Sequence, residues 1–245
     1  MAVWLVVGLC MALVILTAPW RWAIGVFLFW APFSGTAVAM AGGDPIILPL
    51  VVSAALCLRY AISLTDRGVR EEALILFARE KWLIAFLVYA VVSGLFFPRL
   101  FAGATSSYTN IQGAYVLMPL GPGHVSTSQI IYLLLGAGAF FALRHAVYRV
   151  GPASAVFALV LQAIFIGGLG FLQAGLGFVG VQVPVEWVVT NEASTLLINI
   201  IEGSFTRVTG VFTEASAYAV WGVAAFGSMV FLYLNRIMTR TALIL

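Results

Sequence analysis

Arg207 and Glu214 are the side chains of this 245-residue sequence best placed to do chemistry. They flank Val-Thr-Gly210-Val-Phe212-Thr, where a long polar stretch meets an apolar run. A guanidinium and a carboxylate at the mouth of an apolar bundle are costly unless they are paired or used. The guanidinium is always ionised and presents a planar fork, which suits a phosphate or diphosphate group. The carboxylate can accept a proton from a hydroxyl such as that of a sugar. Two structural readings stand beside this one: Arg207 and Glu214 can pair with each other, or Arg207 can hold lipid headgroups. Little else in the chain is reactive. There is no glycine-rich phosphate loop, no HExxH and no Cys/His metal spacing. The only histidines, His124 and His145, are too few for a histidine-rich metal site, so no metal and no cofactor are expected. Cys10 and Cys57 lie in apolar runs, where a thiol behaves as a small hydrophobe, and no disulfide is expected.

The elements that must position these residues follow from composition. The chain is 63% hydrophobic and 9% charged, with a mean hydropathy of +1.10. A soluble domain is about half apolar and about a quarter charged. Water-soluble enzyme, secreted disulfide scaffold, disordered regulator and nucleic-acid-binding domain are therefore excluded. The pI near 9.1 rests on only 12 Lys and Arg against 9 Asp and Glu, scattered between apolar runs, so nucleic acid is no partner and the lipid bilayer is.

A span needs roughly 20 apolar residues. The expected fold is all-α: a polytopic membrane protein with about seven transmembrane helices in a single membrane domain. The spans are expected at about 2–18, 22–40, 46–60, 82–97, 129–147, 154–183 and 217–234, with two long loops at 98–128 and 184–216. No basic segment precedes the first run, so a cleaved signal peptide is not expected. Pro32 predicts a kink in the second run. Six glycines from Gly167 to Gly180 predict a break in the sixth. The polar stretch 65–81 reads as a solvated amphipathic linker or a surface helix dipping Leu74, Leu76 and Phe77 into the interface. Residues 188–205 have helical spacing, with Leu196, Leu197, Ile200 and Ile201 on one face, and are expected to lie on the membrane boundary. A further apolar run opens at Leu243, so the chain is expected to be the amino-terminal part of a longer protein.

Charge sets the orientation. With the N-terminus outside, the inner segments hold Arg21, Arg59, Arg67, Arg70, Arg79, Lys81, Arg144, Arg149, Arg236 and Arg240, ten of the twelve basic residues. Only Arg99 and Arg207 fall outside, together with Asp44, Glu186, Glu192, Glu202 and Glu214. Basic residues are retained on the cytoplasmic side. Both long loops are therefore expected outside, in the periplasm of a Gram-negative cell.

The stretch Arg207-Val-Thr-Gly-Val-Phe-Thr-Glu-Ala-Ser216 resembles a signature of the O-antigen ligase/polymerase family of bacterial membrane glycan-assembly proteins, Arg-x-x-Gly-x-Phe-x-Glu-Pro-Ser, with Ala215 where proline is frequent. Met118-Pro-Leu-Gly-Pro-Gly-His124-Val-Ser-Thr-Ser-Gln129, which opens the fifth run, is similar to the polymerase members. The likeness spans about residues 80 to 240. It implies a metal-independent glycosyltransferase of the bacterial inner membrane, whose donor is a glycan on undecaprenyl diphosphate. The acceptor would be another lipid-linked repeat, for a polymerase, or lipid A-core, for a ligase. By the match, Arg207 would hold the diphosphate and Glu214 would orient or deprotonate the acceptor hydroxyl. Gly210 would allow close backbone approach, and Ser216 and His124 would be further substrate-binding positions. Other polysaccharide-assembly membrane proteins would be partners. Family members carry more spans and a further large outer loop with Arg and His residues, which this chain lacks.

Two other classes remain open. A small-solute transporter would use the glycine-rich run as a broken helix, although the charges cluster at span ends and not at midspan. A non-catalytic membrane subunit would use Ala163-x-x-x-Gly167 and Gly170-x-x-x-Ala174 for helix packing.

Overall fold

A computed structural model describes residues 2–41, 44–111, 114–119, 121, 124–181, 187–190, 201–202, 205–206, 208–212 and 215–235. Among them are eight helices: α1 (Ala2–Thr17), α2 (Trp20–Trp30), α3 (Leu48–Ser63), α4 (Arg67–Arg79), α5 (Lys81–Leu100), α6 (His124–Val150), α7 (Ala153–Phe178) and α8 (Ala215–Leu234). Three two-stranded antiparallel hairpins accompany them: β1 (Ala37–Ala41) with β2 (Asp44–Ile47), β3 (Ser106–Ile111) with β4 (Ala114–Pro119), and β5 (Ile201–Glu202) with β6 (Phe205–Thr206). The protein is mostly helical, as its composition requires, but not purely so.

Among the described residues, four stretches are long and apolar enough to cross a bilayer: Lys81–Leu100, Thr127–Val150, Ala153–Phe178 and Ser216–Leu234. Counting α3 and α4, which bend by 117°, as one broken span makes five. The seven spans expected from hydropathy are thus too many, and the excess lies in the first 60 residues. There α1 has 16 residues, about 24 Å of helix against a hydrocarbon core of about 30 Å. The second run is not one kinked helix. It is α2, of 11 residues, followed by a turn and the strand β1. Pro32 is the reason. It has no N–H to give to the carbonyl of Leu28, one turn back, so the helical ladder stops there.

The other glycine- and proline-based expectations divide. α5 passes through Pro98 and ends at Leu100. α7 runs unbroken from Ala153 to Phe178 despite its glycines. It stops at Gly180, whose φ of +75° reverses the chain while the Val181 N–H donates back to the Leu176 carbonyl at 2.9 Å. The expected boundary helix at 188–205 meets the hairpin β5–β6 at its C-terminal part, while residues 191–200 lie outside the described residues.

The chain divides into two compact units: Met1–Leu56 with Leu143–Leu245, and Cys57–Ala142. In the second unit the Asp66 carboxylate caps α4, accepting from the N–H groups of Gly68 (2.8 Å) and Val69 (3.3 Å). Val69 and Ala73 are buried and Phe77 meets Phe141 edge-on at 4.7 Å, while Leu74 and Ile75 are exposed. The 65–81 stretch is therefore largely a surface helix, its inward face being Val69 and Ala73, which are buried, and Phe77, which is half-buried. In the first unit α2 packs on α7 through Phe29, Phe33 and Phe165, and α1 lies against α2 and β1.

Candidate functional site

Three non-helical segments of the first unit interlace at one end of its helices. The Gly35 N–H donates to the Val211 carbonyl (3.2 Å), and the Thr190 N–H donates to the Gly35 carbonyl (3.0 Å). The Thr36 hydroxyl donates to the Val188 carbonyl at 2.8 Å. The Thr190 hydroxyl bridges both backbone groups of Ala37 at 3.0 Å. The Trp4 indole N–H, from the start of α1, reaches the Trp187 carbonyl at 2.7 Å. Thr36, Val188, Val189, Thr209, Val211 and Phe212 are buried in this junction. Segments more than 150 residues apart in sequence are thus held together by two backbone–backbone hydrogen bonds and by the Thr36 and Thr190 hydroxyls and the Trp4 indole, each bonded to backbone groups.

The segment that carries the sequence signature is built into α7 and α8. Gly210 has φ +60° and is buried; its N–H donates to Gln173 Oε1 at 2.8 Å. A Cβ at Gly210 would lie 2.9 Å from the Tyr218 ring. Phe212, Tyr218 and Trp221 form a ring cluster with centroids 5.9–6.1 Å apart. Tyr218 also lies across Gly170 of α7 and donates to the Ile166 carbonyl at 3.3 Å. The glycine and the aromatic of the signature are therefore positions that packing alone demands.

The proposed chemistry-bearing residues are placed as follows. Arg207 and Glu214 lie outside the described residues. Ser216 is exposed in the first turn of α8. His124 opens α6, which begins in the second unit. Thr209 was not singled out by the sequence. Its side chain is fully buried and its Oγ1 has no hydrogen-bond partner among the described residues. Gln162, in the middle of α7, was also missed. It is buried, donates to the Leu28 carbonyl that Pro32 leaves without a helical donor, and accepts from the Trp221 indole N–H at 3.2 Å. An amide in an otherwise apolar run, of which α7 has two, Gln162 and Gln173, is the signal that could have found it, because a buried amide needs partners.

The two ends of this unit differ in charge. The turn before α2 and the turn before α7 share the end opposite the junction: Trp20 meets His145 at 5.7 Å, and Arg21 shares a cavity with Ala153 and Ser154. Every described Lys or Arg of the unit, namely Arg21, Arg144 and Arg149, belongs to the helix ends at these turns, and none belongs to the junction. Among the described residues no group of His, Cys, Asp and Glu could hold a metal ion. No known protein family, curated protein or solved structure matches this chain.

Proposed function

We propose that this chain assembles glycans at the outer face of a bacterial inner membrane, moving a glycan from undecaprenyl diphosphate to an acceptor hydroxyl as an O-antigen or exopolysaccharide polymerase or ligase does. The observation that carries the reading is the 207–216 signature, whose described part 208–212 belongs to the interlaced end. Packing accounts for Gly210 and Phe212, and it is the charged positions whose residue types remain to be explained. An arginine and a glutamate seven residues apart suit the two demands of glycosyl transfer from a diphosphate. In the transfer, the acceptor oxygen bonds to the anomeric carbon as the bond from that carbon to the diphosphate oxygen breaks. Undecaprenyl diphosphate leaves. Arg207 neutralises the charge that develops on it, with no metal required. Glu214 takes the acceptor's proton. Ser216 is a further substrate contact in this reading.

Orientation supports it. Basic residues are retained in the cytoplasm, and the described ones of the first unit, Arg21, Arg144 and Arg149, belong to the end opposite the junction. The transport reading drew on a break in the glycine-rich run, and α7 is continuous there. In membranes carrying the full protein and its lipid-linked substrate, Arg207→Lys is expected to abolish glycan extension at normal protein level, because a point charge does not replace the fork. Glu214→Gln is expected to slow extension without weakening donor binding. Full activity of Arg207→Lys would remove Arg207 from the reaction.

A further inference from the structure

At the basic end of the first unit, α2 and α7 part to leave a groove of about 610 Å³. Its walls are almost wholly apolar, with Gly25, Phe29, Phe157 and Leu161 along its length and Arg21, Trp22 and Ser154 towards the helix starts. From Arg21 to Phe29 it follows two turns of α2, about 12 Å. Three features converge on it. Arg21 is exposed and makes no ion pair among the described residues. Both helices begin here with proline at the N-cap, Pro19 and Pro152, and neither has a side-chain cap, so first-turn N–H groups add positive potential. Gly25 weakens α2, yet a Cβ there would meet nothing within 4 Å. No protein group in the described chain requires that glycine, and what it preserves is open space.

We propose that this groove is a binding site for one anionic phospholipid of the adjacent leaflet. Its phosphate would sit on Arg21 and the two helix starts, one acyl chain would lie over Gly25 towards Phe29, and Trp22 would hold the interfacial level. Charge complementarity selects the occupant: a cationic mouth on an apolar slot fits a lipid with a net negative headgroup and disfavours a zwitterionic one. The proposal needs only that these helices lie in a membrane, and it stands apart from the glycan reading.

The test uses the full chain in mild detergent, loaded with phosphatidylglycerol or phosphatidylcholine and read by native mass spectrometry. The wild-type chain is expected to keep one phosphatidylglycerol in preference to phosphatidylcholine by about fivefold, the scale of one basic residue at an anionic surface. Arg21→Gln is expected to bring that preference close to one, and Arg21→Lys to keep most of it. Gly25→Leu fills the slot and is expected to release the retained lipid of either kind. If Gly25→Leu disturbs α2, Ala153→Leu fills the same mouth from the facing helix. Equal retention by wild type, Arg21→Gln and the filled variants would overturn the proposal. So would displacement of the lipid by inorganic phosphate with no effect of filling, which would mark a free-anion site.

Discussion

Gly210 sits where two constraints coincide. Its φ of +60° is in the left-handed region, and the Tyr218 ring occupies the place of its missing Cβ. A left-handed backbone at a non-glycine residue costs about 1–3 kcal/mol. Gly210→Ala is therefore expected to destabilise the first unit by at least that much, seen as a lower Tm in detergent. Adding Tyr218→Ala should recover only the steric share, because the backbone cost remains. Full recovery would show that the positive φ is not strained. The glycine was legible in the sequence, but its reason was not. The motif suggested close approach to a substrate, whereas the neighbour that needs the space is a tyrosine eight residues on. Thr209 carries no signal in the sequence, because a threonine in an apolar context is silent until its buried hydroxyl is seen without a partner among the described residues.

Gln162 ties three helices into one arrangement. Its amide meets the carbonyl that Pro32 orphans in α2 and the indole of Trp221 in α8. Gln162→Leu leaves both groups unpaired in an apolar interior, and the expected cost is about 1–3 kcal/mol for the two bonds. Pro32→Ala supplies a backbone donor to Leu28, so it should reduce the penalty of Gln162→Leu in a double-mutant cycle. Additive effects would mean that the carbonyl of Leu28 is satisfied in some other way. The long helices α5 to α8 were readable because an apolar run of 20 or more residues permits little else. Residues 31–47 were not. Ala37–Ala41 is as apolar as a span, and short apolar runs look alike whether they form strand or helix. Pro32 and the sequence Gly42-Gly43-Asp44-Pro45 mark the difference, and Pro32 stops the helix where a kink is expected from the sequence.

At the scale of the molecule, charge and connectivity agree within the first unit. The start of α1, the ends of α2 and α7 and the start of α8 meet at the interlaced end, which holds no described Lys or Arg. The α1–α2 and α6–α7 turns meet at the other, with Arg21, Arg144 and Arg149 on the adjoining helix ends. Alternation along the sequence predicts the same sorting of Arg21, Arg144 and Arg149 to one end and puts that end in the cytoplasm. The glycan reading depends on that sidedness: a donor on the outer leaflet cannot meet Arg207 unless the junction faces out. Impermeant thiol labelling of intact cells tests this directly, in a chain whose Cys10 and Cys57 are replaced by alanine. Trp187 and Arg149 are both exposed and belong to opposite ends. A cysteine at position 187 is expected to react and one at position 149 to react only after the membrane is opened. The reverse pattern would place the junction in the cytoplasm and contradict the proposed function.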